Sequence, residues 1–326
     1  MRIAIMGTGA VGGLYGYRLL KQGHDVLFVA RGRTLDVLGS DGLTVIEPDG
    51  SRETVPVTAT DGASLADHEP VDLALMCVKA WQVRESAALL RPVLRGGEHD
   101  ADTGWATGVA TMQNGVEAPG DVAEVLGDAH AVAGTTKVLC ELEAPGVVRR
   151  VDFDPRVSLG ERDNTPTPRV RALAEALTAG GVETTVAPDI DRALWEKFCF
   201  LVSYGGVCAV TRFPIGVVRT IPESRAMLDG AVREIQAVGR ALGVDLDLGT
   251  PDHILDFLDS VPEDTTSSMM RDLLAGRPSE LEHQNGAVCR LGRRAGVPTP
   301  THDFIYAAMK PGELRARGQL GVDRYA

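Results

Sequence analysis

Apolar residues recur in two rhythms along this chain, and the rhythm changes once. Arg2–Met6 is a short apolar run that ends in glycine. From Ala10 to Gln22 the period lengthens: Val11, Leu14, Tyr15, Leu19 and Leu20 share one face, and Gly23 supplies a C-terminal stop. Val26–Ala30, Leu73–Val78 and Val109–Met112 predict further buried strands. Leu43–Ile46 and Val55–Ala59, on either side of Pro48-Asp49-Gly50, predict a hairpin. Another β segment runs through Ala131–Leu139 and Val147–Val151, turning at Pro145-Gly146. Strands apolar on both faces and alternating with helices predict a mostly parallel sheet covered by helices.

From about Ala187 strand signals nearly vanish. Helical spacing predicts helices over Asp191–Val210, Glu223–Leu242, Pro251–Leu258, Ser268–Leu274, Glu280–Ala295 and His302–Met309. The boundary falls close to Pro188, which divides the chain into an α/β domain, 1–187, and an all-helical domain, 188–326. The cleft between two such domains is the default place for a small-molecule site.

Composition narrows the function classes. Forty-five acidic against 33 basic residues leave a net charge of −12, which argues against a broad basic surface for nucleic acid or anionic membrane. Apolar stretches of four to six residues fall short of the roughly 20 that a membrane-spanning helix requires, so the expectation is a soluble, cytoplasmic protein. Arg2 precedes an apolar run as in a signal peptide, but Gly7, Gly9, Gly12, Gly13 and Gly16 interrupt it. Five widely spaced cysteines without CxxC or zinc spacing predict buried free thiols and no metal.

Gly7-Thr8-Gly9-Ala10-Val11-Gly12 is GxGxxG between a predicted strand and a predicted helix, the context that a dinucleotide-binding, Rossmann-type fold requires. Gly7 permits the turn, Gly9 lets backbone approach a pyrophosphate, and Gly12 allows close helix–strand packing. Amides at the helix start then face the phosphates. Flavin is the competing ligand. An NAD-preferring site places Asp or Glu at the end of the second strand, whereas this chain reads Phe28-Val29-Ala30-Arg31-Gly32-Arg33 with no acid before Asp36. Arg31, with Arg33 as a second candidate, suits a 2′-phosphate, so the predicted cofactor is NADP(H).

Further patches follow in one order: Cys77-Val78-Lys79-Ala80-Trp81-Gln82, Gln113-Asn114-Gly115, Trp195-Glu196-Lys197-Phe198, Ser267-Ser268-Met269, Arg271-Asp272, Gly276-Arg277, Glu280 and Asn285-Gly286. With the N-terminal glycine loop they resemble the ketopantoate reductase (2-dehydropantoate 2-reductase) family over essentially the whole chain. The resemblance implies an NADPH-dependent 2-oxo acid reductase of pantothenate biosynthesis. It implies a Rossmann-type domain followed by a helical domain like that of the 6-phosphogluconate dehydrogenase group. By motif match, Lys79 resembles the family lysine near the cofactor phosphate, and Asn114 the asparagine near nicotinamide and substrate. Lys197 resembles the proton donor, Ser268 a substrate-contacting serine, and Glu280 the glutamate near the catalytic lysine and cofactor. The chemistry agrees in kind: reducing a ketone leaves negative charge on oxygen, which a positioned cation that yields a proton can meet.

Plainer roles compete for the same residues. Asn114-Gly115 is a turn dipeptide, and Lys79 fits a surface lysine. Ser268 could cap its helix, with Asp264 or Thr265 as rivals, and Glu280 could be a first-turn helix acid. Trp81 and Trp195 fit packing roles.

The chain also departs from the pattern. The family helix that carries the lysine carries substrate-holding asparagines four and eight residues later, where this chain has Leu201 and Gly205. Thr265 replaces the asparagine three residues before the matched serine. The expectation is reduction of ketopantoate through a rearranged substrate cradle. The alternatives are a relative acting on a bulkier or more apolar 2-oxo acid or ketone, and a non-catalytic NADP(H)-binding or sensing protein. Apolar faces in the helical domain would suffice for a homodimer.

Overall fold

The computed structural model describes residues 1–96, 104–151 and 154–320. The chain forms two compact units: Met1–Gln113 with Glu117–Ile190, and Asn114–Val116 with the chain from Asp191 onward. The last six residues of the expected helical domain lie outside the described residues.

The first unit opens with β1 (Arg2–Met6), α1 (Ala10–Lys21), β2 (Asp25–Val29) and α2 (Gly32–Ser40). It continues through β3 (Leu43–Ile46), β4 (Arg52–Val55), β5 (Thr58–Thr60), β6 (Leu73–Met76), α3 (Val83–Leu89), β7 (Gly108–Thr111), α4 (Ala118–Leu126) and β8 (Ala131–Lys137). It closes with β9 (Cys140–Ala144), β10 (Val147–Arg150), β11 (Arg156–Glu161), α5 (Pro168–Ala179) and β12 (Glu183–Val186). Eight strands form the main sheet in the order β12-β11-β8-β7-β6-β1-β2-β5, with only the β11–β8 pairing antiparallel. Ile3, Ala4 and Ile5 are fully buried at its centre, which is why β1 has no polar alternation.

A second sheet, β4-β3-β10-β9, corrects two expectations. The hairpin across Pro48-Asp49-Gly50 exists, but β3 pairs with Arg52–Val55 rather than with Val55–Ala59. Pro56, which has no N–H to give a ladder, divides that predicted strand, and Thr58–Thr60 joins the main sheet beside β2. Likewise β8 stays in the main sheet, and the partner of β10 across Pro145-Gly146 is β9, Cys140–Ala144. Helix α1 packs on β1 and β2 and also on β3, β9 and β10 of the second sheet. Gly13 permits that second contact, since a Cβ there would stand 2.7 Å from Val148 Cγ2.

The second unit is helical: α6 (Ile190–Thr211), α7 (Ile215–Thr220), α8 (Pro222–Ala241), α9 (Thr250–Ser260), α10 (Ser268–Leu274), α11 (Asn285–Ala295) and α12 (Pro300–Ala316). Its core joins Phe198, Val202 and Val207 of α6 to Val232 and Ile235 of α8, Val288 of α11 and Ile305 of α12. Each such fully buried side chain contributes about 1.5–3 kcal/mol. The predicted Glu280–Ala295 helix is shorter than expected. Leu281–His283 is a 3-10 turn, Gln284 at φ −109° and ψ −96° breaks the run, and α11 starts at Asn285.

Helix α6 also qualifies the reading of short apolar stretches. By length and composition it is apolar enough to cross a membrane, but 67% of its apolar window is buried inside the fold, the pattern of a core helix. All five cysteines are free, three of them buried.

Candidate functional site

In the first unit the expected cofactor residues gather at the C-terminal ends of β6, β1 and β2, three adjacent strands of the sheet. Gly7 turns out of β1 at φ +94°, and its N–H donates to the Val29 carbonyl at the end of β2, 3.1 Å away. A Cβ on Gly7 would stand 2.7 Å from Val78 Cγ1, just before Lys79. A Cβ on Gly12 would run into the Gly7 carbonyl oxygen and come within 3.0 Å of Ile5 Cγ2. One on Gly9 would meet nothing within 4 Å. Two glycines thus close the loop onto the sheet while the third keeps its outer side open, the cradle that a pyrophosphate needs. Helix α1 has no side-chain cap and no acid in its first turn, so the amides from Ala10 and Val11 onward suit an anion. Thr8 is buried and reaches the Val29 carbonyl at 3.4 Å.

Arg31 is exposed two residues after β2, at the position just before α2, and Arg33 is exposed two residues further on. Lys79 is exposed at the start of the turn after β6. Gln113 was legible only as the first residue of the Gln113-Asn114-Gly115 patch. Gln113 is buried at the end of β7, and its Nε2 donates to the carbonyls of Met76 and Val78 at 2.8 and 2.9 Å. It ties the chain leading to Asn114 to the chain leading to Lys79. A glutamine beside Asn-Gly was the available signal.

The second unit brings three expected residues together. Lys197, half-buried on α6, donates to Asn114 Oδ1 at 3.0 Å. Asn114 Nδ2 donates to Glu280 Oε2 at 3.4 Å. Glu280 is 7% exposed and accepts a further bond from Gln284 Nε2 at 3.3 Å. Asn114 is therefore more than a turn residue. Glu280 does not sit in the first turn of a helix; it precedes the 3-10 turn, with α11 beginning five residues later.

Segment 279–283 is held from α12. Ser279 Oγ donates to buried Glu313 Oε2 at 2.6 Å, and Glu282 accepts from Lys310 Nζ at 2.6 Å and from the Tyr306 hydroxyl. Lys310 and Tyr306 together hold the Glu282 carboxyl below its ordinary range against the opposing effect of burial.

Among the described residues no hydrogen bond joins Ser268 to this trio, and it is not the helix cap. Ser267 caps α10, its Oγ accepting from Met270 N–H at 3.0 Å, so Asp264 and Thr265 do not serve either. Ser268 is half-buried in the first turn. Gly205 meets the same serine from α6: a Cβ there would lie 3.2 Å from Ser267 Cβ and Oγ. A larger residue at 205 would have to displace that cap. Leu201 packs against the helical core, and Trp195 is buried edge-on to Phe198 at 5.6 Å, a packing role.

Residues 3–164 match the family model for ketopantoate reductase PanE/ApbA, and residues 189–313 match the model for its C-terminal part. The 2-dehydropantoate 2-reductase of Mesorhizobium japonicum is 30% identical over 331 residues, covering 95% of this chain and 97% of that protein. The crystal structure of a PanE/ApbA family ketopantoate reductase from Ralstonia eutropha matches with a TM-score of 0.84 at 28% identity, covering 97% of this chain and all of that one. A ternary structure of D-mandelate dehydrogenase with NADH and anilino(oxo)acetate shares the fold, with a TM-score of 0.84 at 22% identity over 97% of this chain and 99% of that one.

Proposed function

We propose, proceeding from the fact that this chain belongs to the ketopantoate reductase family, that it reduces ketopantoate to pantoate with Lys197 as the proton donor. Membership makes it an NADP-dependent oxidoreductase acting on CH–OH groups. Within that class, residues 1–187 are assigned to NADP(H) binding and 188–326 to substrate binding and proton transfer. The open loop Gly7–Gly12 with the α1 amides fits the pyrophosphate, Arg31 fits a 2′-phosphate, and Lys79 fits an outer phosphate oxygen.

NADPH supplies the hydride when bound. The protein's own task is to manage the charge that forms on the carbonyl oxygen. Lys197 Nζ, 3.0 Å from Asn114 Oδ1, carries the reading: the contact fixes the position of an ammonium, a group that donates protons and accepts none. Proton donation from Lys197 then neutralises the developing alkoxide. Glu280, through Asn114, favours the charged, proton-bearing state of the lysine before reaction. Ser268 and Asn114 are assigned to hold the oxo acid.

Lys197→Ala should lower kcat by about 10²–10⁴-fold while the NADPH dissociation constant stays within twofold, measured by steady-state kinetics and cofactor fluorescence. Near-normal turnover would remove Lys197 from the mechanism. One observation favours a second substrate: Leu201 stands one turn beyond Lys197, where an apolar side chain suits a bulkier, more apolar 2-oxo acid. Comparing ketopantoate with branched and aryl 2-oxo acids decides between them.

A further inference from the structure

Gln284 is 1% exposed and stands just before α11, where a short side chain with an acceptor oxygen would cap the helix. Its side chain makes no such cap. It turns back four residues instead, and Nε2 donates to Glu280 Oε2 at 3.3 Å. The backbone prepares this contact, because the turn over Leu281–His283 brings the Gln284 N–H within 2.9 Å of the Glu280 carbonyl oxygen.

The partner decides which way the amide faces. A carboxylate only accepts, so the nitrogen points to Glu280 and the oxygen points away from it. Gln284 Oε1 is buried there with no hydrogen-bond partner among the described residues. An amide buried with its oxygen unmatched works against stability, and an apolar side chain of similar length would bury without that penalty. Packing and capping therefore leave glutamine at this position unexplained. What it does supply is a second donor to the Glu280 carboxyl.

That donor gains its importance from where the first one leads. Asn114 Nδ2 reaches the same oxygen, Glu280 Oε2, at 3.4 Å, and Asn114 Oδ1 receives Lys197 Nζ at 3.0 Å. Bonds of 3.3 and 3.4 Å are long for N–H···O pairs, so neither amide alone holds the carboxyl firmly. The same turn also backs the asparagine loop: a Cβ on Gly115, at φ +122°, would stand 3.1 Å from the His283 carbonyl oxygen.

We infer that Gln284 is a positioning residue for proton transfer. By holding Glu280 Oε2 it keeps Asn114 turned with its oxygen toward Lys197, and so fixes the ammonium. This rests on the assignment of Lys197 as proton donor. Without the second donor the Glu280 carboxyl is free to rotate, and Asn114 loses the fixed acceptor that sets its orientation. Gln284 is too buried to touch the oxo acid, so its loss falls on kcat rather than on KM.

The test is a double-mutant cycle on kcat at saturating NADPH, with Gln284→Met, Glu280→Ala and the double variant beside the wild-type chain. The substrate is the fastest among ketopantoate and the branched and aryl 2-oxo acids. Methionine keeps the length of the side chain and removes both polar atoms of the amide. The expected result is a fall in kcat of about 10-fold or more for Gln284→Met, with KM for the oxo acid within about twofold and the melting temperature unchanged or higher. In the Glu280→Ala background the same substitution should lower kcat by less than about twofold, because the group it acts through is gone. An unchanged kcat, equal proportional losses in both backgrounds, or a loss that follows a lowered melting temperature would overturn the role of Gln284 and leave the Lys197 reading in place. Near-normal turnover by Lys197→Ala, or a wild-type chain that consumes NADPH with none of these oxo acids, would sink both together.

Discussion

Asn114 has one workable orientation. An ammonium can only donate and a carboxylate can only accept, so the amide oxygen must face Lys197 and the amide nitrogen Glu280, as observed. The residue is a polarity adaptor between a cation and an anion. Cofactor choice is argued at the same scale. Arg31 is exposed at the end of β2, where an acid would accept ribose hydroxyls, and a guanidinium there suits a phosphate instead. Arg31→Ala should raise KM for NADPH about 10-fold or more and leave KM for NADH within twofold, read from initial rates with each cofactor. An equal effect on both would place Arg31 outside the 2′-phosphate site. Lys197 and Glu280 were legible from short motifs. Gln284, which donates to Glu280, was not, because a lone amide residue shows no role until its neighbours are known.

At the scale of elements, a buried ion pair fastens strands and a helix of the first unit. Arg169 on α5 meets Glu161 at the end of β11 through two bonds, 2.7 and 2.6 Å, and also donates to the Ala106 carbonyl at 3.1 Å. Both side chains are under one-tenth exposed, so removing one strands the other's charge. Arg169→Ala should cost about 3–5 kcal/mol in urea unfolding, and a loss below 1 kcal/mol would show that the pair is not holding these elements. None of β11, α5 and β12 was visible in the apolar pattern. Strand β9, Cys140-Glu-Leu-Glu-Ala, is largely exposed and too charged to register as a strand; its pairing with β10 is what makes it one. The predicted strand Val55–Ala59 ran through Pro56, and the break there, with its two halves in different sheets, emerges only from the pairing.

Stability against pH belongs to the whole molecule. His302 is fully buried in the helical unit, with Nε2 3.0 Å from the Ala231 carbonyl and Nδ1 3.0 Å from Asn285 Nδ2. The carbonyl can only accept, which sets the proton on Nε2 and leaves Nδ1 to accept from Asn285. Burial lowers the pKa below its ordinary 6.5, against the opposing effects of the Ala231 carbonyl, Glu234 and Asp303. The folded state therefore resists protonation while the unfolded chain takes a proton near pH 6.5. Stability is full above that value and falls as pH drops below it, by up to about 1.4 kcal/mol per pH unit. Urea midpoints between pH 7.5 and 5.5 should show this fall in the wild type and a flatter profile in His302→Asn; identical profiles would exclude His302 as its source.

What the sequence alone determined is what short-range chemistry can specify. Strand, glycine turn and helix follow one another within Arg2–Lys21, so the order strand, loop, helix is a local property, and the ordered motifs carry the family. The change from alternating strands to helices likewise needs no distant partner. Tertiary structure alone decided which groups meet. Asn114 lies 83 residues from Lys197 and 166 from Glu280, yet all three join in one hydrogen-bonded chain. It also decided that Ser267 rather than Ser268 caps α10. Such outcomes depend on packing between helices distant in sequence, and pairwise burial and hydrogen bonding leave no periodic trace in the order of residues.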